Sequence, residues 1–193
     1  MTGAVLAGGQ SRRMGTNKAL LKIDGTTIIE RVTGILTPIF DTVVIIANDP
    51  APYSFLELKT YPDIHIGAGS LGGLHTAIVK SRSDYTFVTA CDMPFLDTDC
   101  IKRLLSATTA DFDAIIPFIG GRAHPMHGIY SKRCAGTIEA MIKCGNLRIN
   151  SLLEQIPVKR LTEADFDGLP IETSVENINS EEDLKRHGYA VDR

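Results

Sequence analysis

Thr2-Gly3-Ala4-Val5-Leu6-Ala7-Gly8-Gly9-Gln10-Ser11-Arg12-Arg13-Met14-Gly15-Thr16-Asn17-Lys18 begins with a short apolar run, breaks at paired glycines and continues into a basic segment. Thr2–Ala7 reads as a buried strand, as do Thr42–Ala47, Tyr85–Cys91 and Ala114–Phe118, all short and rich in valine, isoleucine and aromatics. Between the first two, Ile28, Ile29, Val32, Ile35, Leu36 and Ile39 recur at helical spacing over Thr26–Ile39. Ser70–Ser81 and Thr98–Ala107 read as further helices, the latter capped by Asp97 or Thr98. Strands separated by helices imply right-handed crossovers, hence a mostly parallel central sheet covered on both faces. The expected class is α/β, a Rossmann-like three-layer sandwich.

The second half is less regular. Ala123–Tyr130 reads as a strand, Lys132–Lys143 as a helix and Asn150–Gln155 as a shorter helix. Val158–Leu161 and Thr173–Asn177 are expected as edge strands, and Ser180–His187 as a closing helix capped through Ser180 and Asp183. No repeat, low-complexity tract or linker interrupts the chain, so one domain over residues 1–193 is expected.

With 193 residues, 44% hydrophobic and 22% charged, the composition is that of a soluble globular protein. A net charge of −3 argues against a nucleic-acid surface. No apolar run approaches the roughly 18 residues needed to span a bilayer, and the start lacks the pattern of an export signal, so a cytoplasmic location is expected. Cys91, Cys100, Cys134 and Cys144 are scattered without a paired motif and read as reduced thiols. His124 and His127 lie three apart around Pro125, a spacing that points them to opposite faces of an extended segment rather than to one metal.

In a parallel sheet, ligands bind outside the carboxyl ends of the strands. Gly8 and Gly9 fall at that edge, where a missing Cβ lets backbone approach a phosphate, and Arg13 and Lys18 supply charge. The Walker pattern fails, since Gly9 and Gly15 are followed by Thr-Asn-Lys-Ala. Gly67-Ala68-Gly69-Ser70-Leu71-Gly72 matches a dinucleotide fingerprint literally, but it follows a poor buried strand and reads as a loop leading into a helix. Phe87-Val88-Thr89-Ala90-Cys91-Asp92-Met93-Pro94 drives a buried strand straight into a carboxylate at the same edge. Asp92 there suits Mg²⁺, which takes one or two carboxylates together with phosphate oxygens and water.

Leu6-Ala7-Gly8-Gly9-x-Ser11-x-Arg13-Met14-Gly15-x-x-Lys18 with Cys91-Asp92-Met93-Pro94 resembles the nucleotidyltransferases of the nucleotide-diphospho-sugar transferase fold, and among them the molybdenum cofactor guanylyltransferase family. Gly69-Ser70-Leu71-Gly72-Gly73-Leu74, Arg122-Ala123-His124-Pro125 and Glu176-Asn177-Ile178-Asn179-Ser180 are similar to later motifs of that family, although Ser70 and Gly72 replace its usual proline and alanine. The resemblance implies GTP against Leu6, Ala7, Gly8 and Gly9, with Asn48 and Asp63 contacting the nucleotide. It further implies Arg13 and Lys18 on the phosphates, Mg²⁺ on Asp92, and Asn177 and Asn179 facing molybdopterin. The implied reaction transfers GMP from GTP to the terminal phosphate of molybdopterin, and handover to other molybdenum-cofactor proteins by transient contact goes with it.

Two alternatives stay open at this stage, the first being the same Mg²⁺-dependent chemistry on a different phosphorylated acceptor, a sugar phosphate or another cofactor phosphate, or with CTP in place of GTP. Cytidylyl relatives carry Leu-Ala-Ala-Gly where this chain has Leu6-Ala7-Gly8-Gly9; the missing methyl leaves room for a purine, a difference of only about 1–3 kcal/mol. A module that binds GTP without turnover is the other, against which Arg13, Lys18 and Asp92 together argue.

Overall fold

The structure, a computed structural model, describes residues 1–8, 17–178, 180–189 and 191–192. Gly9, Arg13 and Asn179, three of the expected site residues, lie outside the described residues.

The chain forms strands β1 (Thr2–Leu6), β2 (Lys22–Ile23), β3 (Thr26–Thr27), β4 (Thr42–Ile46), β5 (Lys59–Tyr61), β6 (Tyr85–Ala90), β7 (Ala114–Ile119), β8 (Arg122–Ala123), β9 (His127–Ser131), β10 (Val158–Leu161) and β11 (Val191–Asp192). Helices are α1 (Ile28–Leu36), α2 (Gly69–Lys80), α3 (Thr98–Ser106), α4 (Cys134–Lys143), α5 (Ile149–Leu153), α6 (Ile171–Ser174) and α7 (Glu181–Arg186). The main sheet runs in the order β10-β7-β9-β6-β1-β4-β5, with β8 folded onto β7. All its neighbours along this order are parallel except β9, which runs against both β6 and β7.

Alternate residues of each central strand enter opposite cores. Val5, Ile45 and Phe87 pack with α1 and α3. Their neighbours Ala4, Val44 and Val88 pack with α2 and α4. This is the two-faced burial that a parallel sheet between helical layers requires, and it explains the continuous apolar runs of the sequence. Helix starts follow local chemistry. Thr27 and Glu30 form a reciprocal capping box on α1, Asp97 rather than Thr98 caps α3 by accepting from the amides of Asp99 and Cys100, and Ser180 caps α7.

Three expectations change. Thr173–Asn177 is not an edge strand: α6 covers Ile171–Ser174, because Pro170 precedes a turn in which Ile171 and Ser174, three apart, are both buried. The hydroxyl of Ser174 accepts from the Asp97 amide at 2.9 Å, tying this turn to the start of α3. Ala123–Tyr130 is not one strand, because Pro125 has no N–H for a ladder; β8 ends before it and β9 begins after it. The short edge strand β5 and the small antiparallel sheet β11-β2-β3 are additions. Asp24-Gly25, both at positive φ, make the tight turn between β2 and β3.

Among the described residues no helix is long and apolar enough to cross a membrane.

At the centre of β1 a Cβ on Gly3 would stand 2.8 Å from the ring of Phe40. That ring is itself stacked on Phe87 with centroids 5.4 Å apart, so it has little room to retreat. Gly3→Ala should therefore destabilise the protein by about 1–3 kcal/mol and lower Tm by roughly 3–10 °C, read in a thermal melt.

Candidate active site

Strand register assembles the site. Leu6 lies opposite Ile46 on one side and Ala90 on the other, and Ile46 lies opposite Tyr61. The ladder continues one step further: the Ala7 amide donates to Ile46, Cys91 to Leu6 and Ala47 to Tyr61. Two residues past each pairing come Gly8, Asn48, Asp63 and Asp92, all level at the carboxyl edge of four adjacent parallel strands. Leu6 and Ala7 carry β1 into that edge. These expected residues are brought together from positions more than eighty apart in the chain.

Asn48 and Asp63 hold each other. The Asn48 amide donates to Asp63 Oδ2 at 2.9 Å, and the Asp63 backbone amide donates back to Asn48 Oδ1 at 2.9 Å. Burial pushes the Asp63 carboxyl up, and the hydrogen bond from Asn48 partly offsets it. Two glycines flank this carboxylate. A Cβ on Gly8 would lie 3.8 Å from Asp63 Oδ2, and one on Gly73 of α2 would lie 3.7 Å from Oδ1 and 3.3 Å from Leu6 Cδ1. Gly73 is thus a wall of the site that spacing alone did not single out.

Asp92 is anchored from the far end of the chain. Asn177 Nδ2 donates to Asp92 Oδ1 at 2.7 Å, and the Ile178 amide donates to the Asp92 carbonyl at 2.8 Å. Asn177, expected to face an acceptor, is bonded instead to this carboxylate. It lines, with Met93, Arg122, His124 and Pro125, a cavity of about 190 Å³. The neighbouring Cys91 thiol is pushed up to about 12, first by burial and then by the charge of Asp92, so it stays protonated.

Lys18 opens a short 3₁₀ turn, Lys18–Leu20, capped by Asn17. The turn follows the glycine-rich segment directly, and Ala19 at its centre is fully buried. Tyr53, a buried residue of the 3₁₀ turn Ala51–Leu56, joins both flanks of the glycine-rich segment: its hydroxyl donates to the Ala7 carbonyl at 3.1 Å and accepts from Asn17 Nδ2 at 3.0 Å. Sequence offered only a turn at Asn48-Asp49-Pro50, with no signal for this phenol.

The remaining candidates have structural roles. β5 ends at Tyr61 on the sheet edge and α2 starts only at Gly69, so the Gly-x-Gly-x-x-Gly match lacks the strand-turn-helix context of a dinucleotide loop. Gly67 and Gly69 adopt positive φ, and a Cβ on Gly72 would come within 2.9 Å of the His65 carbonyl. His127 is wholly buried, its ring edge-on to Phe87 at 5.4 Å, and burial lowers it to about 3. His124 instead places Nε2 3.2 Å from the Ile119 carbonyl. Among the described residues no group of three or more His, Cys, Asp or Glu could hold a metal, so a metal at this edge would need ligand oxygens from a substrate.

Comparisons with known proteins identify the family to which the chain belongs. A family model described as the MobA-like NTP transferase domain matches residues 3–161. A molybdenum cofactor guanylyltransferase of Desulfosudis oleivorans is 33% identical over 99% of this chain and 96% of its own length. A probable molybdenum cofactor guanylyltransferase of Natranaerobius thermophilus is 34% identical over 96% of this chain and 94% of its own. The crystal structure of molybdopterin-guanine dinucleotide biosynthesis protein A from Archaeoglobus fulgidus superimposes with a TM-score of 0.83 at 31% identity, covering 96% of each chain. The family model and these full-length likenesses make the chain a member of the MobA-like NTP transferase family, among the molybdenum cofactor guanylyltransferases.

Proposed function

We propose that this chain, as a single cytoplasmic domain, transfers GMP from GTP to the terminal phosphate of molybdopterin and forms the guanine dinucleotide of that cofactor. The observation that carries this reading is the pair of carboxylates on one sheet edge, Asp63 beside two glycines and Asp92 beside the acceptor cavity. The names of the full-length relatives support the same activity.

Asp63 suits guanine because its two oxygens accept, while the purine presents N1–H and its 2-amino group side by side as donors. Cytosine presents an amine next to an acceptor nitrogen, which a carboxylate meets less well. The triphosphate then runs from the slot between Gly8 and Gly73 toward Asp92, with Lys18, Arg13 and the Gly8-Gly9 backbone about its charge.

An oxygen of the acceptor phosphate attacks the α-phosphorus. The bond from that phosphorus to the bridging oxygen breaks, and its electron pair leaves with pyrophosphate. The attacking oxygen is already anionic, so no general base is needed, and the protein contributes positioning and charge. Asn177 holds Asp92 Oδ1 and so fixes the direction of the other carboxylate oxygen. Mg²⁺ fits on donor chemistry: a single hard carboxylate with phosphate oxygens satisfies it, whereas a soft or wholly protein-made cage would need a ligand cluster absent among the described residues. When bound on Asp92 the ion would neutralise phosphate charge. Asn179 is assigned to molybdopterin on the motif resemblance alone, and product passes to other molybdenum-cofactor proteins by transient contact.

Pyrophosphate release measured with GTP or CTP, with and without molybdopterin, tests the reading. Release only with GTP and molybdopterin together is expected; release that needs no acceptor, or that prefers CTP, would overturn it. Asp92→Asn and Lys18→Ala should each lower kcat about a hundredfold or more while leaving the thermal melt near that of the parent. A Cβ on Gly8 meets only ordinary contacts at 3.7 Å and beyond, so Gly8→Ala should fold normally. Its methyl would crowd the approach to Asp63, raising KM for GTP about tenfold and narrowing the preference over CTP.

The pH dependence has a definite sign. Asp63 must be ionised to accept from guanine, and its carboxyl lies above the usual carboxylate range. Affinity for GTP should therefore fall as pH drops through that raised value, earlier than an ordinary aspartate would cause. Asn48→Ala, which removes the bond that lowers it, should move this limb of a kcat/KM profile to still higher pH.

A further inference from the structure

Residues 8–16 separate the end of β1 from the turn that carries Lys18, and Tyr53 reaches both ends. Its hydroxyl donates to the Ala7 carbonyl at 3.1 Å and accepts from Asn17 Nδ2 at 3.0 Å. Asn17 Oδ1 in turn accepts from the Ala19 amide at 3.2 Å, inside the 3₁₀ turn Lys18–Leu20. A continuous chain of hydrogen bonds therefore runs from the end of β1 to the residue after Lys18, and it passes through one phenol oxygen.

That phenol is built as a fixed relay. Tyr53 is 3% exposed, and burial raises its hydroxyl above the ordinary tyrosine range, with the bond from Asn17 as a partial offset. It stays protonated, with one hydrogen for Ala7 and a lone pair for Asn17. Its own turn is held locally: the Tyr53 amide donates to the Pro50 carbonyl at 3.0 Å, and Asp49 Oδ1 accepts from the Ala51 amide at 3.1 Å. The same β4–β5 connection carries Asn48, the partner of Asp63.

Two consequences follow for the phosphates. The peptide joining Ala7 to Gly8 is planar and trans, so a carbonyl held toward Tyr53 turns the Gly8 N–H the opposite way. The bond from Asn17 keeps the Lys18 turn beside the end of β1. We propose that Tyr53 is a positioning residue for the nucleotide triphosphate, fixing the aim of the Gly8 amide and the place of Lys18 through its two hydrogen bonds. It acts through those groups and not on the substrate itself. The proposal rests on GTP being the donor of the transfer, and it gives one connection both ends of that nucleotide, the base through Asn48 and the phosphates through Tyr53.

The test measures dissociation constants in Mg²⁺ buffer for GTP by calorimetry and for guanosine by displacement of GTP. Parent, Tyr53→Phe, Lys18→Ala and the double variant are compared, and dinucleotide formation is followed alongside. Tyr53→Phe keeps the ring and removes both bonds. It should weaken GTP about tenfold and leave guanosine, which has no phosphates, within about twofold of the parent. In the Lys18→Ala background the same substitution should weaken GTP by no more than about threefold, because the two residues act as one unit. A hydroxyl that only supported the fold would cost the same factor in both backgrounds. Asn17→Ser keeps an acceptor for the Ala19 amide but loses the donor to Tyr53; it should weaken GTP in the parent and add little to Tyr53→Phe, so it carries the comparison independently of how Tyr53→Phe folds. GTP affinity unchanged in both single variants, a guanosine loss in step with that for GTP, equal factors in both Lys18 backgrounds, or no GTP binding by the parent would overturn the assignment. A parent that shows this binding pattern but forms no dinucleotide with molybdopterin would instead remove guanylyl transfer and leave the role of Tyr53 standing.

Discussion

The site depends on the in-register parallel pairing of β1 with β4 and β6, extended to β5. Each carboxyl end emerges at the same height, so four residues from separate parts of the chain stand in one row. A slip of one residue would turn every side chain to the opposite core, and the two-faced burial of Ala4 and Val5, Val44 and Ile45, Phe87 and Val88 makes that slip costly. The same packing that stabilises the sheet therefore sets the level at which Gly8, Asn48, Asp63 and Asp92 stand at its carboxyl edge.

On that row the two carboxylates have different environments. Asp63 is drawn toward its neutral form by burial and steadied by Asn48, which suits a group that accepts from a base in a confined slot. Asp92 is half-exposed and braced by Asn177 from one side, which suits a group that meets charged phosphates. Loops and helix ends that make these contacts come from across the fold, while the strands only hold them at the right height.

Much of this was readable from residue order because burial leaves a strong imprint. The central strands are continuous apolar runs, and Gly8 and Asp92 fall where such runs stop. Helix caps at Asp97 and Ser180 are local and were equally legible within a residue or so. What was not legible is whatever depends on partners distant in the chain. Three residues at a sheet edge, as in β5, leave no periodic signal, and Ile171–Ser174 looks extended until the contact of Ser174 with Asp97 is known. The grip of Asn177 on Asp92 spans 85 positions, and that of Tyr53 on Ala7 spans 46. Neither has any signature in its own neighbourhood.

The reversal of β9 has a consequence for how such a protein could diversify. Because β9 runs against β7, the connection between them is a hairpin whose tip, with Arg122 and His124, projects at the carboxyl edge. A helical crossover there would tie any change of length to the packing of a whole layer. A hairpin tip is held mainly by its own two strands, so it can be lengthened, shortened or exchanged while the nucleotide row stays fixed. The fold thus separates the row fixed by the parallel strands from a hairpin wall free to be rebuilt, and that separation makes the tip a natural place for grafted sequence.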